Sequence, residues 1–337
     1  MFGAIFGEKE MKKITICPND AGQRLDRFLR KYMRNASLGY IYKCIRKDVK
    51  VNGKRKDSSY MLCDGDEITL YVPDEALAEM IGEAEERQAA VKPLSIVYED
   101  ENILIANKPF GLLTHGDSVE KKDHLANRVK DYLIAKGEYD PRSEKVFAPA
   151  PANRLDRNTT GLVVFGKNAS SLRELNRLIR SGEIGKFYLT IVCGELKEEL
   201  RLSGGLVKDE SANRVTIVSE DRAAKHIETV ARPIKALSGV TLVEVELLTG
   251  RTHQIRAHLA SVGYPVAGDA KYATGRAVRI NRYIKDKFGA GTQLLHSTRL
   301  VFGECGEPLG YLSGRSFEEG PPKFFTEVVH GLEESAR

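Results

Sequence analysis

Leu247-Leu248-Thr249-Gly250-Arg251-Thr252-His253-Gln254-Ile255-Arg256-Ala257-His258 opens as the end of a strand, bends at Gly250 and continues as a helix. That strand, 240–248, follows others at 186–193, 214–218 and 227–233, each rich in alternating or β-branched residues. Without regular alternation of strand and helix, a doubly wound parallel sheet is not expected. The reading is α+β, with a mixed and largely antiparallel sheet and flanking helices. Past Gly250, Ile255, Leu259 and Val262 share the core side of the helix, and Gly263 is placed to stop it. Arg251 falls at the strand-to-helix corner, where its guanidinium is free to turn into a cleft as a carboxylate partner or phosphate clamp. His253 and His258 are five apart, not four, so they do not share a helical face as paired zinc ligands would. No metal is expected.

Working upstream, residues 94–98 and 103–107 flank the polar turn Asp100-Glu101-Asn102 and predict a hairpin. Leu125, Val129 and Leu133 follow Asp123 at helical spacing, with Asp123 placed as a cap. Leu162-Val163-Val164-Phe165 predicts a short buried strand. Residues 171–182 predict a helix with Ser171 and Glu174 in capping-box spacing and Leu172, Leu175, Leu178 and Ile179 toward the core. In the strand at 186–193, Lys186 and Tyr188 face away from Phe187, Leu189 and Ile191. Together these make one unit over 94–330.

The 337 residues predict about two folding units at ~100 to 200 residues each. With 42% hydrophobic and 29% charged residues the chain can build a core and is not of the disordered class. No apolar run approaches the ~18 residues of a membrane span, and 1–10 lacks the pattern of a secretory leader, so a cytoplasmic protein is expected. The five cysteines are scattered without a CxxC pair, which predicts reduced thiols rather than a disulfide framework. Residues 11–73 hold 14 basic and 7 acidic side chains. Residues 74–90 hold 6 acidic ones and Arg87, and 74–93 reads as a solvated linker. In the basic unit Leu25, Phe28, Leu29, Tyr32 and Met33 lie on one helical face, and Leu38, Ile41, Tyr42 and Ile45 on another. Val49-Lys50-Val51 ends at the turn Asn52-Gly53, and Ile68, Leu70 and Val72 return as a strand. The expected unit is two helices on a small hairpin.

Arg24-Leu25-Asp26-Arg27-Phe28-Leu29, Ile45-Arg46-Lys47, Val49-Lys50-Val51-Asn52-Gly53-Lys54 and Gly65-Asp66-Glu67-Ile68 resemble the S-four RNA-binding domain. The resemblance covers most of 11–73 and implies RNA contacts from Arg24, Arg27, Arg46, Lys47 and Lys54. Ser37-Leu38-Gly39 replaces the family's basic Ser-Arg-Ser turn, and Asp48 its glycine before the first strand.

Three segments, the opening one among them, carry groups capable of chemistry. Asn153-Arg154-Leu155-Asp156-Arg157-Asn158-Thr159-Thr160-Gly161 sets a carboxylate between arginines in a polar loop before a strand. Lys186-Phe187-Tyr188 sets a tyrosine on a strand, and Thr249 to Arg256 sets two arginines around a histidine. On residue type alone the structural reading of Asp156 and the packing reading of Tyr188 are the favoured ones. With Asn107-Lys108-Pro109-Phe110-Gly111-Leu112, Gly263-Tyr264-Pro265-Val266-Ala267-Gly268-Asp269 and Leu294-Leu295-His296, their order resembles the RluA-type family of RNA pseudouridine synthases. The family implies the pseudouridine synthase fold, catalysis by Asp156, stacking of uracil on Tyr188, and pairing of Arg251 with Asp156. It implies substrate contacts from Asn153, Arg154, Leu155, Lys186 and Arg256; Asn153 stands where the family commonly has a histidine. The reaction breaks the N1–C1′ bond, turns the uracil and rejoins it through C5, so no cofactor is expected. A base in folded RNA must leave its stack, which calls for an aromatic wall and basic flanks. Whether Asp156 attacks the sugar, adds to the base or removes a sugar proton stays open. Structured RNA is the expected substrate, large-subunit ribosomal RNA above transfer RNA, acted on by a monomer. A non-catalytic RNA-binding or ribosome-assembly protein is the alternative. A glycoside-type hydrolase is disfavoured, because no second facing carboxylate stands out.

Overall fold

A computed structural model describes residues 11–82, 91–209, 214–218 and 224–334. The chain divides into two compact units. One holds Met1–Lys92, Lys130–Pro149 and Asn168–Ser170; the other holds Pro93–Val129, Ala150–Lys167 and Ser171–Arg337.

The first unit runs β1 (Lys12–Thr15), α1 (Leu25–Tyr32), α2 (Leu38–Lys47), β2 (Val49–Val51), β3 (Glu67–Leu70), α3 (Asp74–Ile81). Its antiparallel sheet has the order β1-β3-β2, so a third strand, β1, joins the two expected. Asn52 and Gly53 both take positive φ, 51° and 74°, closing a two-residue turn between Val51 and Lys54. The apolar stripe of α1 is buried as its spacing predicts. In α2, Ile41 and Ile45 are buried, but Leu38 and Tyr42, expected on the same face, remain exposed.

Residues 74–93 are not a solvated linker throughout. α3 forms with Asp74 and Glu75 at the positive end of its dipole, and Leu77 is buried in the core that α1 also fills. The acidic run masked one apolar anchor; residues 83–90 lie outside the described residues. Residues 130–149, assigned by the sequence to the second unit, cluster with the first. There the fully buried Asp20 carboxylate accepts the backbone N–H groups of Lys145, Val146 and Phe147 at 2.8, 3.1 and 2.9 Å.

The remaining elements are β4 (Ser95–Glu99), β5 (Ile103–Lys108), α4 (Leu125–Ala135), β6 (Ala150–Pro151), β7 (Thr160–Gly166), α5 (Ala169–Ser181) and β8 (Ile184–Cys193). After them come β9 (Leu200–Asp209), β10 (Arg214–Val218), β11 (Lys225–Leu237), β12 (Val240–Leu247), α6 (Gln254–Ser261), α7 (Arg276–Phe288), β13 (Leu295–Phe302), β14 (Ser316–Glu318) and α8 (Lys323–Glu334). The strands form one sheet in the order β10-β9-β11-β12-β8-β13-β7-β5-β4, with β14 added to β13 and β6 to β7. β13 and β7 run parallel; the other pairs are antiparallel. The mixed, largely antiparallel α+β architecture is therefore as expected. Every residue of β7 is buried, which makes it a rigid floor for the loop that precedes it.

Some local expectations give way to longer-range bonds. Ser171 does not cap a helix start at 171: α5 begins two residues earlier, and the Ser171 hydroxyl bonds Asn102. Glu174 pairs with Arg177 and accepts the Gly306 N–H. α6 stops at Ser261, leaving Val262 exposed, and Gly263 turns away at φ 88°.

Candidate active site

Asp156 lies in the loop between β6 and β7, and that loop is braced on both sides of it. Thr114 accepts the Leu155 N–H and donates its hydroxyl to the Leu155 carbonyl, both at 3.0 Å. Lys108, fully buried at the end of β5, donates its ammonium to the carbonyls of Pro109, Leu112 and Arg157 at 3.2, 2.6 and 2.9 Å. All three of its donors are thus used. Burial pulls Lys108 down to about 7, against the attraction of the Asp156 charge. Asn153 donates to the Leu162 carbonyl and accepts the Val164 N–H, at 3.2 and 2.9 Å. Its amide is a strap onto β7, and the expected substrate contact from it is not what this geometry offers.

The partner group arrives from α6. His253 takes a left-handed conformation, φ 54°, and the helix starts only at Gln254. The buried Gln254 side chain stitches the corner, accepting the Arg251 N–H at 3.0 Å and donating to the Glu228 carbonyl at 2.9 Å. Arg256 then points inward from the first turn. Its Nε and Nη2 grip the Asp269 carboxylate at 2.6 and 2.9 Å, while Nη1 reaches Asp156 Oδ2 at 3.1 Å. Side-chain exposures of 1% for Asp269, 7% for Arg256 and 19% for Asp156 grade the chain from dry to wet. Burial opposes the Arg256 charge, but Asp269 and Asp156 more than compensate and hold the guanidinium above its ordinary value. A fork already bound to one anion cannot swing away, so the second anion has a fixed cation beside it.

His253 Nε2 stands 3.7 Å from Asp156 Oδ2, and its Nδ1 is 3.0 Å from the Tyr272 hydroxyl. Burial lowers its pKa, with Asp156 opposing, so the ring is neutral at pH 7. Tyr188, on β8, is 4% exposed. Burial, with some help from the Asp156 charge, pushes its phenol well up and keeps it protonated. Asp156, Tyr188, Arg154, Leu155, Arg251 and Arg256 all line one cleft.

The structure thus brings the expected carboxylate, tyrosine and arginines together, with two corrections. The guanidinium on Asp156 is that of Arg256, not Arg251. Arg251 belongs to the turn before the helix and lines the cleft wall without an ion pair to the aspartate. Lys186 shares the buried strand face with Tyr188, is itself buried with its pKa lowered, and does not line the cleft. The bracing role of Lys108 was missed: the signal was a lysine ending an apolar strand, where only satisfied charges survive. Among the described residues no group of three or more His, Cys, Asp or Glu could hold a metal ion.

In the first unit Arg27, Arg46, Lys47 and Lys54 are exposed. Arg24 is instead paired with Asp26 at 2.7 and 3.1 Å. Arg46 shares a separate cleft with Arg55, Lys56 and Tyr60.

Comparison with known proteins decides what the constellation belongs to. A family model described as RNA pseudouridylate synthase matches residues 102–261. Ribosomal large subunit pseudouridine synthase C of Salmonella typhi is 34% identical over 308 residues, 88% of this chain and 90% of that protein. The protein of the same name from Escherichia coli K12 is 32% identical over the same shares. The chain belongs to the RluA-type family of RNA pseudouridine synthases. As a member of that family it is an isomerase that converts uridine in RNA to pseudouridine. Solved structures agree on the pseudouridine synthase fold. Human RNA pseudouridylate synthase domain containing 4 superposes with TM-score 0.55 at 21% identity, covering 71% of this chain and 92% of that one. Human RNA pseudouridylate synthase domain containing 1 gives 0.50 at 20%, covering 73% and 97%. The residues matched by the family model include Asp156, Tyr188, Arg251 and Arg256.

Proposed function

We propose that this synthase modifies uridines of large-subunit ribosomal RNA, with Asp156 as the catalytic carboxylate. The observation that carries the reading is the graded chain Asp269–Arg256–Asp156: a dry ion pair presents one further guanidinium N–H to a carboxylate that is still open to a cleft. Each route to the glycosidic bond uses a carboxylate anion, and the fixed guanidinium at 3.1 Å complements that charge. In the isomerisation the N1–C1′ bond breaks, a C5–C1′ bond forms, and C5 loses the proton that N1 gains. Tyr188, protonated and buried, offers a flat wall on which the extruded uracil stacks while it turns. Arg154 and Arg251, on the same cleft, meet flanking phosphates.

The ribosomal target is supported by the names of the relatives, and a cytoplasmic location by that target; a monomer is the reading for a sequence without a coiled-coil heptad or apolar stripe. The first unit acts as an S-four-like RNA-binding domain through Arg27, Arg46, Lys47 and Lys54; Arg24 serves the fold by holding Asp26. Purified protein incubated with unmodified large-subunit ribosomal RNA transcript should form pseudouridine without added metal or nucleotide. Asp156→Ala should abolish this with its circular dichroism unchanged. Turnover by that variant would overturn the catalytic assignment. Product in transfer RNA and none in the ribosomal transcript would overturn the target.

A further inference from the structure

The sequence motifs leave α7 without a role, and its solvated face is strongly basic. Ala277 and Ile284 are buried and Ile280 and Phe288 partly so, which fixes one face on the core. The solvated face carries Arg276, Arg279, Arg282, Lys285 and Lys287 against a single acid, Asp286, a local charge of 5 − 1 = +4. No carboxylate pairs with Arg276, Arg279, Arg282 or Lys285 among the described residues; Lys287 rests on Tyr283 at 3.1 Å. On the sheet, by contrast, two half-buried arginines are matched. Arg232 holds Glu199 and Glu246, and Arg299 holds Glu244 and Glu318. Thirteen helical residues span ~20 Å, the axial rise of roughly six phosphates of one strand in a duplex.

A second observation ties this helix to the site. Asn281, on the inner side of α7, accepts the Gly268 N–H at 2.7 Å and donates to the Asp269 carbonyl at 3.2 Å. Asp269 is the residue whose carboxylate grips Arg256, so the basic helix is bolted to the backbone that positions the Asp156 partner. Gly268 at that joint admits no side chain: it sits at φ 80°, and a Cβ there would collide with the Thr292 carbonyl.

We propose that the solvated face of α7 is a docking surface for the phosphodiester backbone of the substrate RNA, held in fixed register with the cleft through Asn281 and Asp269. The proposal rests on the RNA-modifying reading above. Such contacts position the duplex and carry no base information, so they should add affinity without altering which uridine is chosen.

The test is the triple variant Arg279→Gln, Arg282→Gln, Lys285→Gln, compared with wild type on unmodified large-subunit ribosomal RNA transcript. KM for RNA should rise with kcat unchanged, and the slope of log(kcat/KM) against log salt should flatten by about one unit for each phosphate no longer neutralised. Restoring lysine at the two arginine positions should recover most of the slope. Equilibrium binding of the same transcript by Asp156→Asn, with and without the three substitutions, reads the surface without turnover. Loss of salt-dependent binding there supports the proposal even if the catalytic assignment fails. An unchanged slope and unchanged binding would overturn it, leaving an acidic protein as the partner for this face. So would a fall in kcat at constant KM, which marks a structural helix.

Discussion

The tetrapeptide Arg-Leu-Asp-Arg occurs twice, at 24–27 and at 154–157. In both copies the leucine is buried. The aspartates have opposite fates. Asp26 lies in the first turn of α1 and is gripped by its own neighbour, Arg24, at 2.7 and 3.1 Å, with the Tyr42 hydroxyl at 3.2 Å. Burial would raise its carboxyl, but Arg24 and Tyr42 overcompensate and hold it below the ordinary value. Asp156 lies in a loop where Arg154 turns outward, and its guanidinium comes from a residue one hundred positions later. A helix lets neighbours satisfy a carboxylate locally and so retires it. A braced loop leaves the carboxylate for a distant partner and for a substrate.

The sharpest way to break this contrast is the same substitution in both copies. Asp156→Asn should lower kcat by at least about a thousandfold with little change in urea stability, because Arg256 keeps Asp269. Asp26→Asn should leave kcat intact and cost about 1 kcal/mol of stability, since an amide still accepts from Arg24 and Tyr42. Comparable rate losses in the two variants would erase the distinction. Replacing the partners comes next in size. Arg256→Met strands the buried Asp269 carboxylate and should cost about 3 to 5 kcal/mol, measured by urea unfolding, in addition to activity. A cost under about 1 kcal/mol would mean that the buried pair is not what holds α6 in place.

Legibility followed the range of the interaction. The α1 stripe and the Asn52-Gly53 turn depend on neighbours, and spacing alone exposed them. Arg251 and Arg256 were separable only by where α6 begins, and that is set by the left-handed His253 and by bonds from Gln254 to β11. Lys186 misled for a related reason: alternation showed that it shares a face with Tyr188, but not that this face reaches the cleft at Tyr188 and is covered at Lys186. The acidic stretch before 93 hid α3, because composition outweighed a single Leu77.

Acid should separate the two units. All seven histidines lie in the unit with Asp156. Burial lowers His258 to about 4, and lowers His115, His253 and His296 as well. Between pH 6.5 and 4 the unfolded chain takes a proton at His258 that the folded one refuses, so stability present above pH 6.5 drains away as pH falls. For His258 alone that is about 3 kcal/mol. The first unit has no histidine. Its Asp26 contribution is lost only below the ordinary carboxylate range, and Glu144, raised by burial, favours folding in acid. Hydrogen exchange at pH 7, 5.5 and 4.5 should therefore show the second unit opening first, with a shallower pH slope in His258→Gln. Earlier opening of the first unit would contradict this.

The smallest effect sharpens the comparison furthest, because it concerns the arginine that begins each copy. Arg24 is 52% exposed, so its pair with Asp26 is screened, and Arg24→Met should cost no more than about 1 kcal/mol. Arg154 is exposed on the cleft, with no carboxylate paired to it among the described residues, so Arg154→Met should change stability by less than about 0.5 kcal/mol. Its loss should appear instead as a raised KM for RNA with a flatter salt dependence, which Arg24→Met should leave alone. If Arg154→Met destabilised the protein more than Arg24→Met while KM stayed fixed, the loop copy would be a structural motif like the helical one. Asp156 would then owe its position to its neighbours, and not to Arg256.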